Sequence, residues 1–151
     1  MKWITWEHIG VDRMGCAWLI RRFIDQQAEF VFIASGSTSL PEGCEPFDIP
    51  GVRLSHRGGH STFHTILNEY QRSTPQSGSV DELDDPLLHR IANIIDEADV
   101  AQDVTLERVA EGLDFICRGM RLISENDQVA VERGRLIYDA VYAQLKSEAA
   151  L

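Results

Sequence analysis

The sequence contains little cysteine, and its three cysteines are poorly placed for bridging or for binding metal. Cys16, Cys44 and Cys117 are odd in number, far apart, and form no CxxC pair. Neither a disulfide framework nor a thiolate zinc site is predicted, because such sites need paired or closely spaced thiols. A reducing compartment fits this cysteine usage best.

Long apolar runs are also missing. No 18 consecutive apolar residues occur, and the N-terminal stretch MKWITWEH lacks the apolar core of a signal peptide. These absences predict a cytoplasmic protein that is not inserted in a membrane.

Positive charge is scarce, with 14 Lys and Arg residues against 24 Asp and Glu residues and a net charge of −10. Binding phosphates needs clustered Lys and Arg, so we expect no direct nucleic-acid binding by this chain alone. The sequence also lacks a Gly-rich phosphate loop, a dinucleotide fingerprint, a GxSxG elbow and an HExxH pair. These enzyme classes are therefore not indicated.

A chain of 151 residues that is 44% apolar predicts one globular domain, spanning residues 1–151. Alternation predicts a strand over residues 3–8, and helical spacing follows from Asp12, which we expect to cap that helix. A buried strand is predicted over residues 29–34. Two extended pieces, residues 45–49 and 52–56, flank Pro50-Gly51, whose turn chemistry predicts a small antiparallel sheet.

The rest of the chain has helical periodicity. Start signals are the Ser61-Thr62 cap, Asp85-Pro86, a position near Thr105, and Asn126-Asp127. The predicted fold class is therefore α+β, with a small N-terminal antiparallel sheet and a mainly helical C-terminal half.

Histidine is concentrated in one segment. His56, His60 and His64 form H-x3-H-x3-H and are three of only five histidines. Asp96 and Asp99, at i and i+3 on a later predicted helix, lie off its apolar stripe and supply carboxylates. Imidazole with carboxylate suits a divalent transition metal such as Zn, Fe or Mn. The alternative is that all five are solvated surface residues.

The start of the first helix is a second candidate site. Arg13 lies beside free backbone N–H groups, where it is placed to bind a small oxyanion. An ion pair with a nearby acid is an equal alternative. Cys16 is expected to be a buried small residue rather than a reactive thiolate, because it falls on the apolar stripe of this helix.

Several motifs, taken together, resemble the C-terminal domain of the chromate-resistance regulator ChrB, a family also called chromate resistance exported protein. The resemblance runs nearly end to end. Its motifs are Asp12-Arg13, CAWLIRRFID at 16–25, Phe47-Asp48 with Pro50-Gly51, His56 with Thr62-Phe63, Ala98-Asp99, Glu111-Gly112-Leu113 and YDAVY at 138–142. The family usually has an acid at the position of His64, and some members have histidine at the position of Asp96. This exchange is expected if both positions donate to one ion.

The resemblance implies a metal-binding domain associated with chromate or other oxyanion stress, acting as a sensor or accessory module. We expect His60, His64, Asp96 and Asp99 as ligands, with His56 as a further one and Arg13 as the anion contact. Two other functions stay open: a metal-dependent enzyme acting on a small substrate, and a structural domain that forms a homo-oligomer through its helical face.

Overall fold

The computed structural model describes residues 1–73, 83–100 and 107–151. The N-terminal part contains β1 (Lys2–Trp6), α1 (Val11–Leu19) with a π-helical continuation (Ile20–Ile24), β2 (Glu29–Ile33) and β3 (Cys44–Pro46). The helices that follow are α2 (Thr62–Ser73), α3 (Pro86–Ile95) with a π-helical continuation (Asp96–Val100), α4 (Arg108–Ile123) and α5 (Asp127–Ala149). The described part is thus α+β with a helical second half, as predicted.

The sheet is parallel, so the predicted antiparallel sheet is wrong. Its strand order is β2-β1-β3, and both outer strands run parallel to β1. The helix α1 returns the chain to the starting edge of the sheet, and a strand that follows such a crossover pairs in parallel. β1 is therefore the central strand, and its residues Trp3 and Ile4 are fully buried.

The predicted hairpin around Pro50-Gly51 does not form. Residues 52–56 are not a strand, and Phe47 and Leu54 make only an isolated parallel bridge. Pro46 ends β3, since proline has no N–H to donate to a sheet. The segment from Phe47 to Arg57 is instead an irregular loop, and it carries two of the polar residues discussed below.

Helix boundaries mostly agree with the capping signals. Asp85 accepts a hydrogen bond from Leu87 N, and Asn126 accepts one from Val129 N, so both predicted caps are confirmed. The cap predicted at Asp12 is wrong, because Gly10 occupies that position and Asp12 lies inside α1. The helix start predicted near Thr105 lies outside the described residues; in the described part, α4 begins at Arg108.

The helix α1 is the centre of the core. Trp18 stacks against Tyr138 of α5 and Phe63 of α2, with ring centroids 5.7 and 6.4 Å away. A Cβ atom at Gly15 would lie 2.8 Å from Ile95 Cδ1 of α3, so only glycine allows α1 this close to its neighbour. This packing brings the start of α1, the start of α2 and the end of α3 together. None of the helices described is both long and apolar enough to cross a membrane.

Candidate metal centres

The first turn of α2 is the point at which the candidate residues meet. Ser61 N donates to Asp96 Oδ1 at 2.8 Å. Thr62 N and Phe63 N donate to the two carboxylate oxygens of Asp12 at 2.8 and 2.9 Å. The first N–H groups of a helix have no partner within the helix and attract anionic acceptors. Here two carboxylates from other elements are those acceptors. Asp12 therefore caps α2 and not its own helix.

On one side of this turn lies the histidine cluster, formed by His60, His64 and Asp96. Asp96 Oδ2 is 2.7 Å from His60 Nδ1 and 2.9 Å from His64 Nδ1, and the two imidazole centroids are 4.2 Å apart. Three ligand-type atoms thus converge on one point. Ser61 Oγ also accepts a hydrogen bond from His64 N at 3.3 Å, which helps to hold the first turn of the helix.

The histidine cluster is open to solvent on one side. The side chain of His60 is 53% exposed, while those of His64 and Asp96 are each 16% exposed. Burial by itself raises the pKa of Asp96, but hydrogen bonds from Ser61, His60 and His64 outweigh burial and leave that pKa below its ordinary value. Asp96 is therefore ionised at neutral pH and available as a ligand.

On the other side of the turn lies the carboxylate cluster, formed by Asp12, Asp48, His56 and Asp99. His56 Nε2 is 2.9 Å from Asp12 Oδ2, 3.1 Å from Asp99 Oδ2 and 3.5 Å from Asp48 Oδ1. Sequence analysis placed His56 and Asp99 in one site with the other three residues. The structure instead brings them together with Asp12 and Asp48 in a separate group.

Asp48 is held in place by its backbone and by two neighbours. Its φ angle is +51°, a left-handed conformation that Asp and Asn tolerate better than most residues. Thr62 Oγ1 donates to Asp48 Oδ1 at 2.6 Å, and Arg13 Nε lies 2.8 Å from Asp48 Oδ2. Arg13 thus forms the ion pair that sequence analysis held as the alternative. Its contact with an oxyanion stays a prediction.

The carboxylate cluster strongly favours bound protons. Burial and the charge of Asp12 raise the pKa of Asp48 to about 7, although Arg13, Thr62 and His56 act in the opposite direction. The hydrogen bond to Asp12 raises the pKa of His56 to about 9. Burial and Asp12 also raise the pKa of Asp99. Crowded carboxylates thus keep a positive charge on His56 at neutral pH.

A cavity of about 640 Å³ adjoins the carboxylate cluster. All four cluster residues line it, and Trp6, Arg118 and Arg121 contribute to other parts of its wall. The volume is in the range of small-molecule sites. The cluster therefore faces a space large enough for a small ligand.

Comparison with known proteins supports the resemblance found in the sequence. The model of the family "ChrB, C-terminal domain" matches residues 3–145. The chain belongs to this family. It is 30% identical over 146 residues to Protein ChrB of Cupriavidus metallidurans, an alignment that covers 97% of this chain and 41% of that protein. The chain thus spans about two fifths of this ChrB relative. No solved structure matches the chain.

Two residues of the carboxylate cluster in this ChrB-family domain, Asp12 and Asp48, were not predicted as site residues. Asp12 was read as a local helix cap, and its partners in α2 lie 50 and 51 residues further along the chain. Asp48 offered no spacing signal, since its position depends on the loop conformation. The sequence clue was that Asp12 and Asp48, like His56 and Asp99, fall in the motifs that carry the family resemblance. Cys16 is buried, its pKa is raised well above the ordinary value by burial, and it acts as a packing residue as expected.

Proposed function

We propose that this domain binds a divalent transition-metal ion through His60, His64 and Asp96, and that it serves chromate or other oxyanion resistance as a sensor or accessory module. The observation that carries the proposal is the convergence of two imidazole Nδ1 atoms on one carboxylate oxygen, at 2.7 and 2.9 Å. The link to chromate rests on membership of the ChrB family and on nothing in the site itself.

The spacing of the histidine cluster suits a metal with small adjustments. Neighbouring ligand atoms in a tetrahedral zinc site with bonds of 2.0–2.1 Å are about 3.3 Å apart. The ligand atoms of His60, His64 and Asp96 already lie within 4.8 Å of one another. Two imidazoles with one carboxylate are typical ligands of Zn, Fe or Mn. The half-exposed side of His60 leaves a route by which the ion can enter.

The test is metal analysis of protein purified without an affinity tag, after Zn²⁺, Fe²⁺ and Mn²⁺ have been offered separately. We expect His64→Ala and Asp96→Ala each to hold about one ion per chain fewer than wild type. His89→Ala is the matched control, because His89 lies in α3 and contacts Gln71 instead of the cluster. Equal metal content in all four proteins would overturn the proposal. A chromate titration of the loaded and chelated protein then separates a sensor from a purely structural ion.

A second candidate function is homo-oligomer formation through α4, favoured by the exposed apolar face of that helix. Val109, Ile116 and Ile123 recur every seven residues, and Phe115 and Leu122 repeat beside them at 80% and 78% exposure. Seven-residue spacing of apolar side chains is the pattern of a helix that packs along another helix. No described residue covers this face.

A second copy of the chain is the occupant that this apolar face fits. In an antiparallel pair of α4 helices related by a two-fold axis, the apolar side chains of one helix would contact the same side chains of the other. Light scattering should detect a dimer in wild type and Leu151→Glu, and a monomer in Leu122→Glu. A monomeric wild type would exclude this function.

A further inference from the structure

The carboxylate cluster is separate from the histidine cluster in both ligands and surroundings. Its residues come from α1, from the loop after β3, from the loop before α2, and from the π-helical end of α3. It shares no ligand with the histidine cluster. The first turn of α2 lies between the two clusters. Of the two clusters, only the carboxylate cluster contributes to the wall of the 640 Å³ cavity. The two clusters are therefore distinct candidate sites.

We propose that Asp12, Asp48, His56 and Asp99 form a second divalent-cation centre, rich in oxygen ligands, whose remaining coordination positions open into the cavity. One imidazole with three carboxylates is a harder ligand set than that of the histidine cluster, so it selects ions of the Mn²⁺ and Fe²⁺ class over softer ones. This inference stands independently of metal binding at the histidine cluster.

The first support is convergence of the ligand atoms. One oxygen of each carboxylate lies within 3.5 Å of His56 Nε2. The ligand atoms of Asp12, Asp48 and His56 all lie within 4.8 Å of one another, and Asp99 joins this group through its contact with His56. Imidazole Nε2 and monodentate carboxylate oxygens are the atoms that metal centres of this class use. Asp12 is only 3% exposed, and charges that deeply buried are normally paired or bound to an ion.

The second support is that the carboxylates are oriented by groups outside the cluster. Backbone N–H groups of Thr62 and Phe63 hold Asp12. The hydroxyl of Thr62 and the guanidinium of Arg13 hold Asp48. Hydrogen bonds and ion pairs of this kind orient the side chains that bind metal ions, and here they are present without an ion. The cluster is therefore preorganised, and its two most buried carboxylates need little movement to bind.

The third support is the cavity. Structural metal sites are closed by protein ligands, whereas sites that act on a ligand keep a position open. A cation bound by this cluster would face the 640 Å³ space beside Trp6 and Arg121. This arrangement is the one that a metal-dependent enzyme acting on a small substrate requires.

The experiment uses Mn²⁺ as the probe and the full chain after chelation. Loss of the free-ion electron paramagnetic resonance signal counts bound Mn²⁺. We expect at least one Mn²⁺ per chain in wild type, and a loss of affinity for one Mn²⁺ of about 10- to 100-fold in Asp48→Asn and in Asp99→Asn. Two variants are used so that the test still holds if one of them misfolds, and circular dichroism checks that both are folded. Asp84→Asn, the same change at an exposed position outside both clusters, should bind as wild type does.

His64→Ala separates the two centres. It removes a ligand of the histidine cluster only, so Mn²⁺ binding at the carboxylate cluster should survive in this variant while zinc binding is lost. The proposal is overturned if wild type binds no Mn²⁺, if Asp48→Asn and Asp99→Asn bind it like wild type, or if Mn²⁺ binding disappears in His64→Ala alone. None of these outcomes decides whether zinc binds the histidine cluster, which the same variants test separately.

Discussion

The two clusters share the first turn of α2 but differ in how firmly their ligands are held. In the histidine cluster, His60 is 53% exposed, its imidazole contacts Asp96, and its backbone pairs with that of Arg57. In the carboxylate cluster, Asp12 is 3% exposed and accepts hydrogen bonds from two backbone N–H groups. The carboxylate cluster therefore has a deeply buried ligand, Asp12, of a kind that the histidine cluster lacks, since His64 and Asp96 are each 16% exposed.

Because the ligands differ in burial, they also differ in how much they contribute to the stability of the fold. A partly exposed ligand contributes little to the folded state, so it can be replaced at small cost. A buried carboxylate that caps a helix serves both purposes, because the same oxygens hold the fold and face the ion. Variants of the two clusters should therefore affect metal binding and unfolding in different proportions.

The largest effect is expected for Asp12→Ala. It removes the acceptor for Thr62 N and Phe63 N, leaving two buried donors unpaired, and should lower the free energy of unfolding by about 3 kcal/mol. Because the first turn of α2 also carries His64, binding at both clusters should weaken. Urea unfolding and metal titration measure the two losses. Asp12→Asn, which keeps one acceptor oxygen, should recover part of the stability. If Asp12→Ala is as stable as wild type, Asp12 does not hold the first turn of α2, and the two clusters are not coupled through it.

The next effect is a pH dependence confined to the carboxylate cluster. In the chelated protein the pKa values of Asp48 and His56 are raised to about 7 and about 9, so the folded chain binds more protons than the unfolded one. Stability is then full below the unfolded pKa values and is lost as pH rises through the folded ones. We expect the free energy of unfolding to fall by roughly 2 kcal/mol between pH 5 and 9, mainly through Asp48, because half-exposed His56 is screened.

Asp48→Asn should flatten this loss between pH 5 and 7. Asn tolerates the left-handed backbone at position 48, so the change removes the ionisation without adding strain. Urea unfolding at several pH values in chelator measures the profile, with Asp84→Asn as the control. Parallel pH profiles for wild type and Asp48→Asn would show that Asp48 does not titrate in the folded state as its burial indicates.

The sequence was sufficient to predict the helices and the histidine cluster. Capping at Asp85 and Asn126 is local chemistry. Residue type and spacing singled out five ligands for one site, of which His60, His64 and Asp96 come together, while His56 and Asp99 lie in the other cluster. The direction of the sheet was not predictable in this way, because it depends on the crossover through α1. The carboxylate cluster was missed in part for the same reason, since Asp12 and Asp48 reach His56 only through contacts distant in sequence.

The smallest effect is expected within the histidine cluster, between its two imidazoles. His64 is 16% exposed and lies in the first turn of α2, whereas His60 is 53% exposed and lies before that helix. A ligand held by its helix loses less freedom on binding, so His64→Ala should weaken zinc binding by about 100-fold and His60→Ala by about 10-fold. Calorimetric zinc titration measures both, and His89→Ala is the control. His60→Ala should change the free energy of unfolding by less than about 0.5 kcal/mol, because the residue is mostly exposed. A larger loss of zinc affinity in His60→Ala than in His64→Ala would contradict this prediction. The more exposed imidazole would then be the principal ligand of the cluster.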